Sequence, residues 1–163
     1  MQIANILNYA APIMAKRNAL AAQAQPQAMP NALAGPAGSG SDYANAIASV
    51  ESAGSGDYKA LGPDTGKGRA YGRYQVMDFN IGPWTEKYLG RRMTPEEFLA
   101  SPQAQDAVFN GEFGSYVQKY GNPQDAASVW FTGRPLAQGK NAADVNGMTG
   151  AGYVAKFTNA LAR

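Results

Sequence analysis

What this chain can fold into is limited first by a change of texture at Ser41. Before it the only charged side chains are Lys16 and Arg17, and beyond it lie 12 basic and 12 acidic residues. Apart from Tyr9, every aromatic side chain also lies beyond it. A core large enough to outweigh chain entropy must bury aromatic and aliphatic surface, so the folded unit is expected over 42–163. Of the 163 residues, 45% are apolar and 16% charged, with 19 Gly and 10 Pro, which describes a globular chain rich in turns rather than a disordered one. No apolar run approaches the ~20 residues needed to span a bilayer.

Residues 1–20 place Ile3, Leu7, Ala10 and Met14 at helical spacing, with Pro12 as a kink or a new start, and read as a docking helix for a partner. The competing readings are a leader with no role and a secretory signal. Ala22-Gln23-Ala24 resembles a cleavage site, but Lys16-Arg17 follow the apolar stretch where a signal has them in front. Residues 21–40 are low in complexity and read as an Ala/Gln/Pro/Gly linker.

Histidine and cysteine are both missing, which excludes disulfides, thiol nucleophiles, Ser-His triads and zinc sites of the usual kind. No calcium-loop pattern occurs, so neither metal nor cofactor is expected, and the chemistry left is that of carboxylates. The folded part is formally neutral and has a single basic pair, Arg91-Arg92, where a nucleic-acid binder needs a basic stripe to neutralise phosphates.

Local signals divide the folded part into a mainly α, α+β domain. Ser41 or Asp42 caps a short helix running to about Ala53, with Tyr43, Ile47 and Val50 on one face and Gly54 as its stop. Residues 55–77, rich in Gly and set with Tyr58, Tyr71 and Tyr74, read as loops around a small hairpin. The chain then turns helical. Thr94-Pro95-Glu96-Glu97 forms a capping box, Ser101-Pro102 opens a longer helix and Asn122-Pro123 another. Phe109, Phe113, Tyr116, Val117 and Tyr120 make one stripe ended by Gly121. A last helix over 149–161 turns Tyr153, Val154, Phe157 and Leu161 inward.

Among the acids, Glu51 has a distinctive setting. In the last turn of its helix it meets the negative end of the backbone dipoles, and Val50 and nearby tyrosines withhold solvation; both disfavour the anion. Such an acid retains its proton closer to neutral pH, as a general acid for a glycosidic oxygen requires. A plain surface glutamate at a helix end is the alternative.

Four blocks in order carry a family resemblance: Ile47-Ala48-Ser49-Val50-Glu51-Ser52-Ala53-Gly54, Gly72-Arg73-Tyr74-Gln75-Val76-Met77, Ala127-Ser128-Val129-Trp130-Phe131-Thr132-Gly133 and Gly152-Tyr153-Val154. Over 42–163 the chain resembles the soluble lytic transglycosylases, which share a goose-type-lysozyme-like fold and cleave peptidoglycan glycan strands. The resemblance implies that Glu51 is the catalytic acid/base. It would protonate the oxygen between N-acetylmuramic acid and N-acetylglucosamine, then take the proton of the muramyl 6-hydroxyl to leave a 1,6-anhydro sugar. It further implies that Ser52 orients Glu51 or meets substrate, that Gln75 contacts sugar, and that the Tyr153 hydroxyl hydrogen-bonds the catalytic carboxylate. Each has a structural alternative: a hydroxyl bonding back into its helix, a turn-stabilising amide, a core tyrosine. Members commonly have an Asn two residues before the Gly-ending turn of the third block, in an Ala-Tyr-Asn-like stretch, whereas this chain has Trp130-Phe131-Thr132-Gly133; Thr132 offers one hydroxyl contact in place of an amide's donor and acceptor.

Tyr71 and Tyr74, on the hairpin, are candidates to stack on sugar rings; Trp84 and Trp130 are weighed as core instead. Arg69 and Arg73 are weighed as contacts for acidic stem peptides against solvated surface arginines. Ordinary glycosidases need a second carboxylate about 5–9.5 Å away, whereas lytic transglycosylases work with one. Asp57 and Asp64 are weighed as holders of an attacking water against turn chemistry, and Glu112 as a second acid against a solvated helix flank.

The resulting expectation is a lytic transglycosylase of the periplasm or cell wall, carried by a virion or secretion apparatus through residues 1–20. A hydrolytic muramidase, and a non-catalytic wall-binding or virion structural module on the same fold, are the alternatives.

Overall fold

The computed structural model describes residues 40–144 and 146–163. The docking helix and linker expected before Gly40 lie outside the described residues. Seven α-helices are present among them: α1 Gly40–Glu51, α2 Asp78–Leu89, α3 Pro95–Leu99, α4 Pro102–Tyr120, α5 Pro123–Thr132, α6 Leu136–Gly139 and α7 Gly150–Leu161. Strands β1 (Ala70–Tyr71) and β2 (Val76–Met77) form one antiparallel hairpin with Ala70 opposite Met77 and Tyr71 opposite Val76. This is the mainly helical domain with a small β element that the sequence leads one to expect. None of the described helices is long and apolar enough to cross a membrane.

Helix boundaries follow from local chemistry. Thr94 accepts from the Glu97 backbone N–H while the Glu97 carboxylate accepts from the Thr94 N–H, so two orphan donors of α3 are satisfied reciprocally. Ser101, Asn122 and Thr149 accept in the same way at the starts of α4, α5 and α7. Proline opens α3, α4 and α5, where its missing N–H costs nothing, and α4 and α5 end at Gly121 and Gly133 in left-handed backbone. Two helices had no individual signal. Helix α2 runs through Pro83, and α6 is only four residues long.

Helix α4 is the axis of the core. Phe113 lies 5.0 Å from Phe109 of its own helix, 5.7 Å from Tyr43 of α1, 6.2 Å from Trp130 of α5 and 5.8 Å from Phe157 of α7, ring centre to ring centre. Four helices thus share one aromatic contact point. Trp84 and Trp130 are both buried in this core, 5.9 Å apart, as the bland reading of each had it. Aromatic burial of this kind stabilises strongly, and here it joins α1 and α7 to α4.

Helix α2 approaches α4 closely because Gly111 has no side chain: a Cβ there would overlap the Tyr88 ring. Beside it, Glu112 is 1% exposed, accepts the Tyr88 hydroxyl at 2.6 Å and pairs with Lys87 Nζ at 3.3 Å. Glu112 is therefore not the solvated flank expected from its helix position, nor an acid facing a groove. It is a buried fastening between α2 and α4. Gly111→Ala should lower stability by about 1–3 kcal/mol through overpacking against Tyr88. Urea unfolding would check this, with Lys119→Ala on the exposed side of the same helix expected to stay within about 0.5 kcal/mol of wild type.

Candidate active site

Glu51 ends α1 and is half-buried. Its partner comes from the far end of the sequence: the Tyr153 hydroxyl donates to Glu51 Oε1 at 2.7 Å. The bond implied by the family resemblance is therefore made, across 102 positions of chain. It depends on how Tyr153 is held. The ring is 2% exposed and stacks on Phe131 at 4.5 Å with 5° between the planes, so the hydroxyl has little freedom of direction.

The start of α7, one turn before Tyr153, is set by close backbone approach. A Cβ on Gly150 would run into the carbonyl of Gly139, and a Cβ on Gly139 would meet Thr132 and Ser128 side chains. Thr132 itself is 2% exposed, and its hydroxyl bonds the carbonyls of Ser128 (2.8 Å) and Arg134 (3.1 Å) while accepting from the Arg134 N–H. Its post is the joint between α5, α6 and α7. With the hydroxyl fully engaged there, Thr132 offers no contact to a sugar.

The other residues singled out in the sequence divide in the same manner. Ser52 is buried and donates to the carbonyl of Ala48 at 3.2 Å, the back-bonded helix end. Gln75 sits in left-handed backbone (φ 51°) and donates to the carbonyl of Gly72 at 2.8 Å, closing the hairpin turn. Tyr71 is half-buried on β1 and retains solvent access. Tyr74 does not: it is 2% exposed, stacked on Phe109 at 4.3 Å, and donates to Asp106 at 2.6 Å. From the hairpin turn its ring is drawn into the core by Phe109 and Asp106, which leaves no ring face for a sugar.

Of the acids weighed as partners for Glu51, Asp64 accepts from the Gly66 N–H in a tight turn, and Asp57 pairs with Arg73 at 3.2 Å. Arg73 is not a solvated arginine. It donates to Asn45 at 2.7 Å, lies 5.0 Å above the Tyr58 ring and is mostly covered. Two residues unmarked in the sequence organise this flank. Asp106 accepts from both Tyr58 and Tyr74, and Gln105, fully buried, accepts from the Arg73 N–H while donating to the carbonyl of Tyr58. Gln105 lies four residues before Phe109 on the same face of α4, so the aromatic stripe could have indicated its burial.

No family model, curated protein or solved structure matches the chain.

Burial first, and then the bond to the Asp106 carboxylate, raise the Tyr74 phenol well above its ordinary 10.0; burial and the Glu112 charge do the same for Tyr88. An unfolded tyrosine ionises near pH 10 while these two stay protonated when folded, so their contribution is complete below about pH 10 and is lost as pH climbs above it. Tyr74→Phe should flatten the fall in stability between pH 10 and 12, measured by urea unfolding across that range.

Proposed function

We propose that the domain is a peptidoglycan lytic transglycosylase of lysozyme-like architecture, with Glu51 as its single acid/base. The observation that carries this reading is the Tyr153–Glu51 hydrogen bond at a helix end, between two residues drawn from separate motif blocks. A mainly helical domain with a hairpin after the acid-bearing helix is the arrangement such a fold requires.

The Tyr153 hydroxyl donates to Oε1 and so orients the carboxyl group that carries and transfers the proton in this reading. As a general acid, Glu51 enters the first step protonated. Glu51 then protonates the glycosidic oxygen as the bond to the muramyl C1 breaks, and the N-acetylglucosamine hydroxyl leaves. In the second step the carboxylate, steadied by Tyr153, removes the proton of the muramyl 6-hydroxyl as that oxygen closes on C1. The acid is regenerated and no water is consumed. The engagement of Asp57 with Arg73, of Asp64 with its turn and of Glu112 within the core supports a one-carboxylate mechanism.

Action in the periplasm or cell wall, with delivery by a virion or secretion apparatus through residues 1–20, belongs to the same proposal. Its test is product analysis. Murein digested by the wild type should yield 1,6-anhydromuramyl ends by mass spectrometry; reducing muramic ends would make the enzyme a hydrolytic muramidase. Glu51→Gln should lower lysis by at least ~10²–10⁴-fold, the usual worth of a general acid. Murein binding without lysis by the wild type would instead indicate a non-catalytic module. Tyr153→Phe retains the ring stack on Phe131 and removes only the hydroxyl, so kcat should fall by roughly 10–100-fold, on the scale of a misplaced catalytic group, with the melting temperature little changed.

A further inference from the structure

The chain leaves α1 through backbone that side chains avoid. Gly54 (φ 77°), Gly56 (φ 104°) and Asp57 (φ 54°) are all left-handed within four positions. Glycine adopts this freely, but Asp57 is held there at a conformational cost and needs something to hold it. A short 3-10 turn closes over it, with the Ala60 N–H donating to its carbonyl at 3.0 Å, and Arg73 is its side-chain partner. One guanidinium nitrogen pairs with Asp57 Oδ2 at 3.2 Å, six residues after Glu51, and another donates to Asn45 Oδ1 at 2.7 Å, six residues before it. One side chain therefore spans the acid from both directions along the sequence.

The base of that side chain is rigid. Its own N–H is bound at 2.9 Å by Gln105, whose amide also donates to the carbonyl of Tyr58 at 3.0 Å. Its plane rests 5.0 Å from the Tyr58 ring and 5.8 Å from the Tyr74 ring, and both phenols bond Asp106. The flank of α1 beneath it is an open cleft of about 420 Å³ lined by Asn45, Ser49, Ser52, Asp57 and Arg73. Close packing does not secure the loop on this side, so the polar bonds must. A helix end frays unless its following residues are tied down, and fraying of α1 would move Glu51 relative to a Tyr153 hydroxyl that cannot follow.

We infer that Arg73 is a positioning residue for Glu51, clasping the left-handed exit of α1 to the body of the helix. This rests on the assignment of Glu51 as the acid. The titratable groups facing the guanidinium are Asp57, Tyr58 and Tyr74, with Asp106 bound to both phenols.

The experiment compares kcat, KM and the pH profile of kcat on murein for the wild type, Arg73→Met, Arg73→Lys, Asp57→Gly and the Arg73→Met/Asp57→Gly pair, with Gly111→Ala as an equally destabilised control, all assayed below their melting temperatures. Arg73→Met should lower kcat by about 10-fold with KM within about 2-fold, the pattern of a mis-set catalytic group, and should displace the limbs of the pH profile. Arg73→Lys, which keeps the charge but replaces the planar fork with a point donor, should fall between. The double variant should be no more than about 2-fold worse than the worse single, because both break one clasp. Gly111→Ala should leave the profile in place. Where Arg73→Met does not fold, Asp57→Gly carries the test, since glycine accepts the backbone angle. Wild-type kcat and pH limbs in Arg73→Met beside an inactive Glu51→Gln would overturn the positioning role alone. A rise in KM with kcat unchanged would make Arg73 a substrate contact and overturn it too. Full lysis by Glu51→Gln would remove the assignment of the acid and this inference with it.

Discussion

The aromatic junction at Phe113 is the constraint on which the remaining structure depends. Side chains from α1, α5 and α7 meet α4 at that ring, and the helices can satisfy it only in one mutual arrangement. Densely packed rings resist continuous deformation, so the relative placement of α1 and α7 is fixed by the core rather than by the residues between them. The hydrogen bond between Glu51 and Tyr153 is a product of that placement. Neither residue could direct the other through 102 positions of chain by itself.

Around the acid, polar side chains fall into two groups by what they touch. Ser52, Gln75 and Thr132 bond backbone carbonyls within four residues of themselves and fix a helix end, a hairpin turn and a helix joint. Arg73, Gln105 and Asp106 reach across elements and tie the loop after α1 to the hairpin and to α4. The first group shapes the chain locally, and the second holds separate segments in register. Glu51 stands where the two meet, with Ser52 beside it and Arg73 bonded to both flanks.

Much of this was legible in the sequence wherever the governing physics is local. Thr94-Pro95-Glu96-Glu97, Ser101-Pro102 and Asn122-Pro123 mark helix starts because their side chains cap donors three residues away, which needs no tertiary information. The stripe through Phe109 and Phe113 was legible for the same reason. Tyr74 was not, because in a hairpin turn nothing in the pattern says whether a side chain meets the core; Phe109 and Asp106 decide that from 30 or more residues away. Glu112 was misread because charge normally means exposure. Its burial depends on Tyr88 and Lys87, which come from another helix. The pairing of Glu51 with Tyr153 was reached through motif resemblance and not through periodicity, since no periodic signal reports a contact so distant.

Gly139 and Gly150 meet at a seam of bare backbone. Where they touch, two stretches of main chain abut with no side chain between them, and Tyr153 follows one helical turn later. The reach of a phenol to a carboxylate is thereby calibrated by two residues that possess no functional group. An added methyl at that seam would shift α7 lengthwise and draw the hydroxyl off its target while every polar atom of the site stayed chemically intact. In this molecule the tolerance of the chemistry is set by the thickness of bare backbone.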